Sequence, residues 1–152
     1  MPNVGIVIGS ASDTEFAEKT SSVLDEFGIS NEIVVASAHR TPQKVKDYVQ
    51  SATESGTKVF IAQAGGSAGL PGCVASWTNL PVIGVPLTSS DLNGVDSLYS
   101  IAQMPPGIPV AAVAIGSWGA RNAGYLAAQI ISLFDEDVKN KYDKYRDDLS
   151  KK

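Results

Sequence analysis

The chain contains one histidine, His39, and it stands in the hexapeptide Ser37-Ala38-His39-Arg40-Thr41-Pro42. Histidine titrates closest to neutral pH, so it can both give and take a proton within one turnover. Arg40 beside it offers a planar fork for phosphate or carboxylate. A second cluster, Gly9-Ser10-Ala11-Ser12-Asp13, sets hydroxyls and a carboxylate on a glycine turn. If that turn opens a helix, its free amides and dipole suit a phosphate; as plain local structure, Ser12 or Asp13 would cap the helix. Its spacing matches neither the P-loop nor the dinucleotide fingerprint, which argues against ATP and NAD. A third cluster, Gln63-Ala64-Gly65-Gly66-Ser67-Ala68-Gly69-Leu70-Pro71-Gly72, is built of small residues that let backbone approach a ligand closely. With no second histidine and no cysteine pair, His39 has no partners for a metal site.

Each cluster follows an apolar run. Val4–Ile8, Ile33–Val35, Val59–Ala62, Val82–Val85 and Val110–Ile115 are nearly continuous rather than alternating, as in parallel strands buried on both faces. Between them, Phe16, Thr20, Val23, Leu24 and Phe27 recur at helical spacing before Gly28. Thr41-Pro42 reads as an N-cap followed by proline at the first helical position. Ala123, Leu126, Ala127, Ile130, Ile131 and Phe134 form one stripe of a helix spanning about 120–134. Strands and helices in this alternation predict βαβ units in a three-layer α/β/α sandwich. In such sheets ligands bind beyond the carboxyl ends of the strands, where the three clusters fall. A fourth polar stretch, from Ser89 to Leu98, reads as a mobile lid or a long surface loop.

The 152 residues suffice for one domain, 1–152, with a real core. The tail from Asp135 is highly charged, yet Val138, Tyr142, Tyr145 and Leu149 predict an amphipathic C-terminal helix docked on its own domain or on a neighbouring subunit. A net charge of −4 gives no basic face for nucleic acid, and no apolar run is long enough for a membrane span. Met1-Pro2-Asn3 leads straight into a strand-like run without room for a signal peptide, and Cys73 is the only cysteine; both point to the cytoplasm. Cys73, Trp77 and Trp118 read as packing or interface residues.

Taken in order, GSxSD, SAHRTP, AGG-x-A-x-LPG, GVDSLYSI-x-QMPPGIPVA and NAG-x-LAAQI resemble the N5-carboxyaminoimidazole ribonucleotide mutases of purine biosynthesis. The similarity runs from about Val4 to Leu133. It implies a flavodoxin-like sandwich assembled as a homo-octamer, working without ATP, metal or organic cofactor on a phosphorylated imidazole ribonucleotide. It further implies that a carboxylate moves from the exocyclic nitrogen to C4 of the imidazole through CO2 release and recapture. His39 matches the proton-transferring histidine. Ser10, Ser12, Asp13, Ser37 and Arg40 match substrate-binding positions, with Arg40 and Ser12 expected near the phosphate and Asp13 on the ribose. Ala64, Gly65, Gly66, Gly69 and Leu70 would surround the carboxylate and CO2.

Two positions depart from the family's AGAGGAAHLPG loop: Gly69 replaces a second histidine and Gln63 replaces a glycine. Both changes are expected where CO2 is handled. The tail is also short for the family. The alternatives are a carboxylase using free CO2 with aminoimidazole ribonucleotide, or a paralogue with decarboxylating or lost activity. A flavodoxin-like binding or signalling module is a further alternative. It fits less well, because Gln63 and Gly116-Ser117 stand where a phospho-receiver needs aspartate and lysine.

Overall fold

The computed structural model describes residues 2–152. Strands β1 (Val4–Ile8), β2 (Asn31–Val35), β3 (Val59–Gly65), β4 (Val82–Leu87) and β5 (Ala111–Ala112) form one parallel sheet in the order β2-β1-β3-β4-β5. This is the flavodoxin-like doubly wound order, and its winding reverses between β1 and β3. Helices α1 (Thr14–Glu26), α5 (Ser117–Ser132) and α6 (Glu136–Leu149) cover one face. Helices α2 (Pro42–Ser55), α3 (Leu70–Ser76) and α4 (Val95–Ala102) cover the other.

The unbroken apolar strands follow from this sandwich. In β1, Ile6 and Ile8 enter the core shared with α1 and α5, while Val7 between them enters the core shared with α2 and α3. Burying each such side chain is worth about 1.5–3 kcal/mol. The two edges differ from that expectation. β2 is only partly buried, and β5 shrinks from the expected 110–115 to two paired residues. Among the described residues no strand lies beyond β5, and past Ala112 the amides of Val113 and Gly116 donate to the Gly84 and Pro86 carbonyls of β4.

Gly28, just past the end of α1, has a φ of +70° that suits glycine, and α2 begins at Pro42 as its sequence predicts. α6 follows its apolar stripe: Val138 and Tyr142 are buried, and Tyr142 and Tyr145 pack against Phe27 and Tyr125 of the same domain. Phe134, placed on the α5 stripe by its spacing, lies just past that helix and is 60% exposed. The Ser89–Leu98 stretch is a short loop leading into α4, closed by side-chain hydrogen bonds.

Candidate active site

The loops after β1, β2, β3 and β4 enclose a cavity of about 290 Å³ at the carboxyl ends of the strands. Its walls include Ser10, Ser12, Asp13, Ser37, His39, Arg40, Ala64, Gly65, Gly69 and Leu70. Of the residues expected at the site, Gly66 alone is absent from the wall; at φ +61° it serves to turn the loop. A larger cavity of about 490 Å³ lies at the opposite, amino ends of β4 and β5. It carries no titratable side chain, whereas the smaller one carries Asp13, His39 and Arg40.

Each polar wall is set by local backbone chemistry. The Ser10 hydroxyl accepts from the Ser12 amide at 3.3 Å and pairs with the Ser12 hydroxyl at 2.9 Å, closing a 3-10 turn before α1. Asp13 occupies the N-cap position of α1, yet neither it nor Ser12 caps that helix. The Asp13 carboxylate is therefore free for the cavity. Burial pushes its pKa above the ordinary carboxylate value, and the Arg40 charge opposes that rise.

The second loop is fastened by hydroxyls. The Ser37 amide donates to the Thr41 hydroxyl at 2.8 Å, so Thr41 sits at the N-cap of α2 but closes the loop instead of capping. The Ser37 hydroxyl accepts from both the amide and Nε of Arg40, at 3.1 and 3.2 Å. Nη2 of Arg40 donates to the Gly9 carbonyl at 2.9 Å, tying the β2 loop to the β1 loop. The guanidinium is thereby held in one orientation, with its remaining N–H donors available to an anion. Between these fixed groups the exposed His39 has a ring free to meet a ligand.

Gly69 faces that ring. A Cβ on Gly69 would lie 3.3 Å from His39 Nε2, so a side chain at position 69 would require the imidazole to give way by a few tenths of an ångström. Gln63 is elsewhere, contrary to expectation. It belongs to β3, is fully buried, and its Nε2 donates to the Thr20 hydroxyl of α1 at 2.6 Å. The alternation of side chains along a strand explains this: Gln63 shares the face of Ile61, toward α1, while the cavity lies at the strand's end. Gly9, Ala38, Ser67 and Ser89 also line the cavity. Their position just after strands was the available signal.

A family model described as AIR carboxylase matches residues 3–152. The N5-carboxyaminoimidazole ribonucleotide mutase of Bacillus subtilis is 55% identical over 146 residues, 96% of this chain and 90% of that protein. The mutase of Thermotoga maritima is 50% identical over 151 residues, covering 99% and 87%. The crystal structure of Treponema denticola PurE superposes with a TM-score of 0.90 at 34% identity, covering 99% of this chain and 93% of that one.

Proposed function

The chain belongs to the AIR carboxylase family, and from that premise we propose that it interconverts N5-carboxyaminoimidazole ribonucleotide and 4-carboxyaminoimidazole ribonucleotide in purine biosynthesis. The observation that carries this reading is the meeting of the chain's one histidine with Arg40, Ser10, Ser12, Ser37, Asp13 and a glycine loop in one cavity.

In this reading His39 protonates the exocyclic nitrogen as the N–C bond of the carbamate breaks and CO2 is released. C4 of the ring then bonds to CO2, and the C4 proton returns to the same imidazole. One proton is lent and recovered, so the net change is an isomerisation and no cofactor is called for. Arg40, with the Ser10 and Ser12 hydroxyls, binds the phosphate, Asp13 takes the ribose hydroxyls, and Ser37 fixes Arg40. Ala64, Gly65, Gly66, Gly69 and Leu70 form the loop around the carboxylate and CO2, where escape of CO2 would abort the turnover.

The test is a direct assay on the carbamate substrate. His39→Asn is expected to lower kcat by at least about 10²–10⁴-fold while the nucleotide still binds. Unchanged turnover in that variant would remove His39 from the mechanism. Conversion of aminoimidazole ribonucleotide plus bicarbonate at a matching rate would make the protein a carboxylase instead.

The enzyme acts as one domain, residues 1–152, in the cytoplasm, a setting that suits its single cysteine. Among the described residues no helix is long and apolar enough to cross a membrane. It assembles as a homo-octamer, with α6 held on its own domain and its charged side turned outward toward a neighbour. Support for assembly comes from exposed apolar side chains: Tyr99 of α4, Ile108 before β5, Trp118 of α5, and Leu133 and Phe134 after it.

A further inference from the structure

Ser89, at the carboxyl end of β4, lines the cavity and is exposed to it. It also lies so close to β3 that a Cβ on Gly65 would collide with its Oγ. The absence of a side chain at Gly65 is what lets this hydroxyl stand at the mouth of the sheet.

The hydroxyls of this cavity are not equivalent. Those of Ser10 and Ser12 bond to each other, and that of Ser37 accepts twice from Arg40. Among the described residues no hydrogen bond engages the Oγ of Ser67 or of Ser89, and Ser89 is the one of the two that follows β4. Its flanks, by contrast, are fastened. The Ser90 hydroxyl donates to the Asp96 carboxylate at 2.6 Å and accepts from the Leu92 amide at 3.2 Å. The Asp96 carboxylate also accepts from the Ser97 amide at 2.9 Å. The buried Ser97 hydroxyl donates to the Leu87 carbonyl at 2.8 Å, on the other side of Ser89. An uncommitted donor is thus held in place by a clasp of which it is not itself a member.

We propose that Ser89 is a substrate-binding residue whose hydroxyl donates a hydrogen bond to an anionic oxygen of the bound nucleotide. The proposal rests on the reading of the cavity as a nucleotide site. Arg40 is the one arginine or lysine on the wall, so a ligand carrying both a phosphate and a carboxylate needs further donors for its other oxygens. Ser89 supplies one that costs no reorganisation, because its loop is already closed.

Calorimetry with wild type and Ser89→Ala tests this, using aminoimidazole ribonucleotide, which has only the phosphate, and its C4-carboxylated counterpart. The expected result is about tenfold or greater weakening for both ligands, since a hydrogen bond to a charged group is involved. Loss for both assigns the hydroxyl to the phosphate; loss for the carboxylated ligand alone assigns it to the carboxylate. The thermal midpoint should not move, because the clasp is untouched, and KM should rise. Equal affinity of wild type and variant for both ligands overturns the proposal. Failure of the wild type to bind either nucleotide is a different result, which brings down the functional reading and this proposal with it.

Discussion

Asp13 sits where two demands conflict. Its carboxylate must be charged or hydrogen-bonded to serve a ligand, yet burial resists the charge more than Arg40 favours it. An acid whose folded-state pKa lies above its unfolded value holds its proton more tightly in the native chain. Stability therefore falls as pH rises from the ordinary carboxylate value through the raised folded-state value. Asp13→Asn should accordingly raise the thermal midpoint above wild type at pH 7. That advantage should shrink on acidification and vanish where the wild-type carboxyl is protonated. The same variant should raise KM about tenfold by losing a charged hydrogen bond. A midpoint gain that is independent of pH would show that the burial of charge is not its cause. At this scale the positions of His39, Arg40, Ser10, Ser12 and Asp13 after apolar runs made their meeting in one cavity legible, while the part each plays there belongs to the proposal. The sequence was read poorly for Gln63, whose side chain leaves the loop by the β-strand's alternation, and for Ser89, which resembled any polar loop residue.

Among the elements, α1, α5 and β3 meet at one buried polar joint. The Gln63 amide donates to the Thr20 hydroxyl, which donates in turn to the Ala120 carbonyl at 2.6 Å. Gln63 Oε1 has no hydrogen-bond partner among the described residues. Thr20→Val should cost about 1–3 kcal/mol, since it strands the Gln63 amide and the Ala120 carbonyl together. Gln63→Leu removes the orphaned oxygen along with the amide and should cost less. Urea denaturation of the double variant should then give a loss smaller than the sum of the single losses. Strict additivity would mean that the two side chains do not share one interaction. The central strands and their helices were legible because hydrophobic period and length agree there. The edges were not: β5 has apolar residues enough for a longer strand, but pairing stops where the sheet has no further neighbour. Thr41 misled in a smaller way, since its sequence position fits a cap while its hydroxyl is spent on Ser37.

For the whole molecule, most of the exposed large apolar residues belong to α4, to the segments before α4 and β5, and to the ends of α5, while Val35, Trp77 and Leu149 lie elsewhere. A net charge of −4 spreads weak mutual repulsion over the surface, so the proposed homo-octamer would have to rest on local apolar contact. Leu133→Asp with Phe134→Asp should shift the assembly toward smaller species by sedimentation while leaving the fold's circular dichroism unchanged. An unaltered mass would remove that patch from the interface. None of this surface was legible from periodicity, which assigned Phe134 to the core because it continues the α5 stripe.

Trp118 gives this surface a voice of its own. It is 79% exposed, whereas Trp77 is 38% exposed and lies beneath the Lys46 ammonium at 4.6 Å. A solvated indole emits at longer wavelength than one enclosed in an apolar contact. With Trp77 replaced by phenylalanine, the colour of the remaining fluorescence would report whether the first turn of α5 faces water or another protein surface, with no label attached.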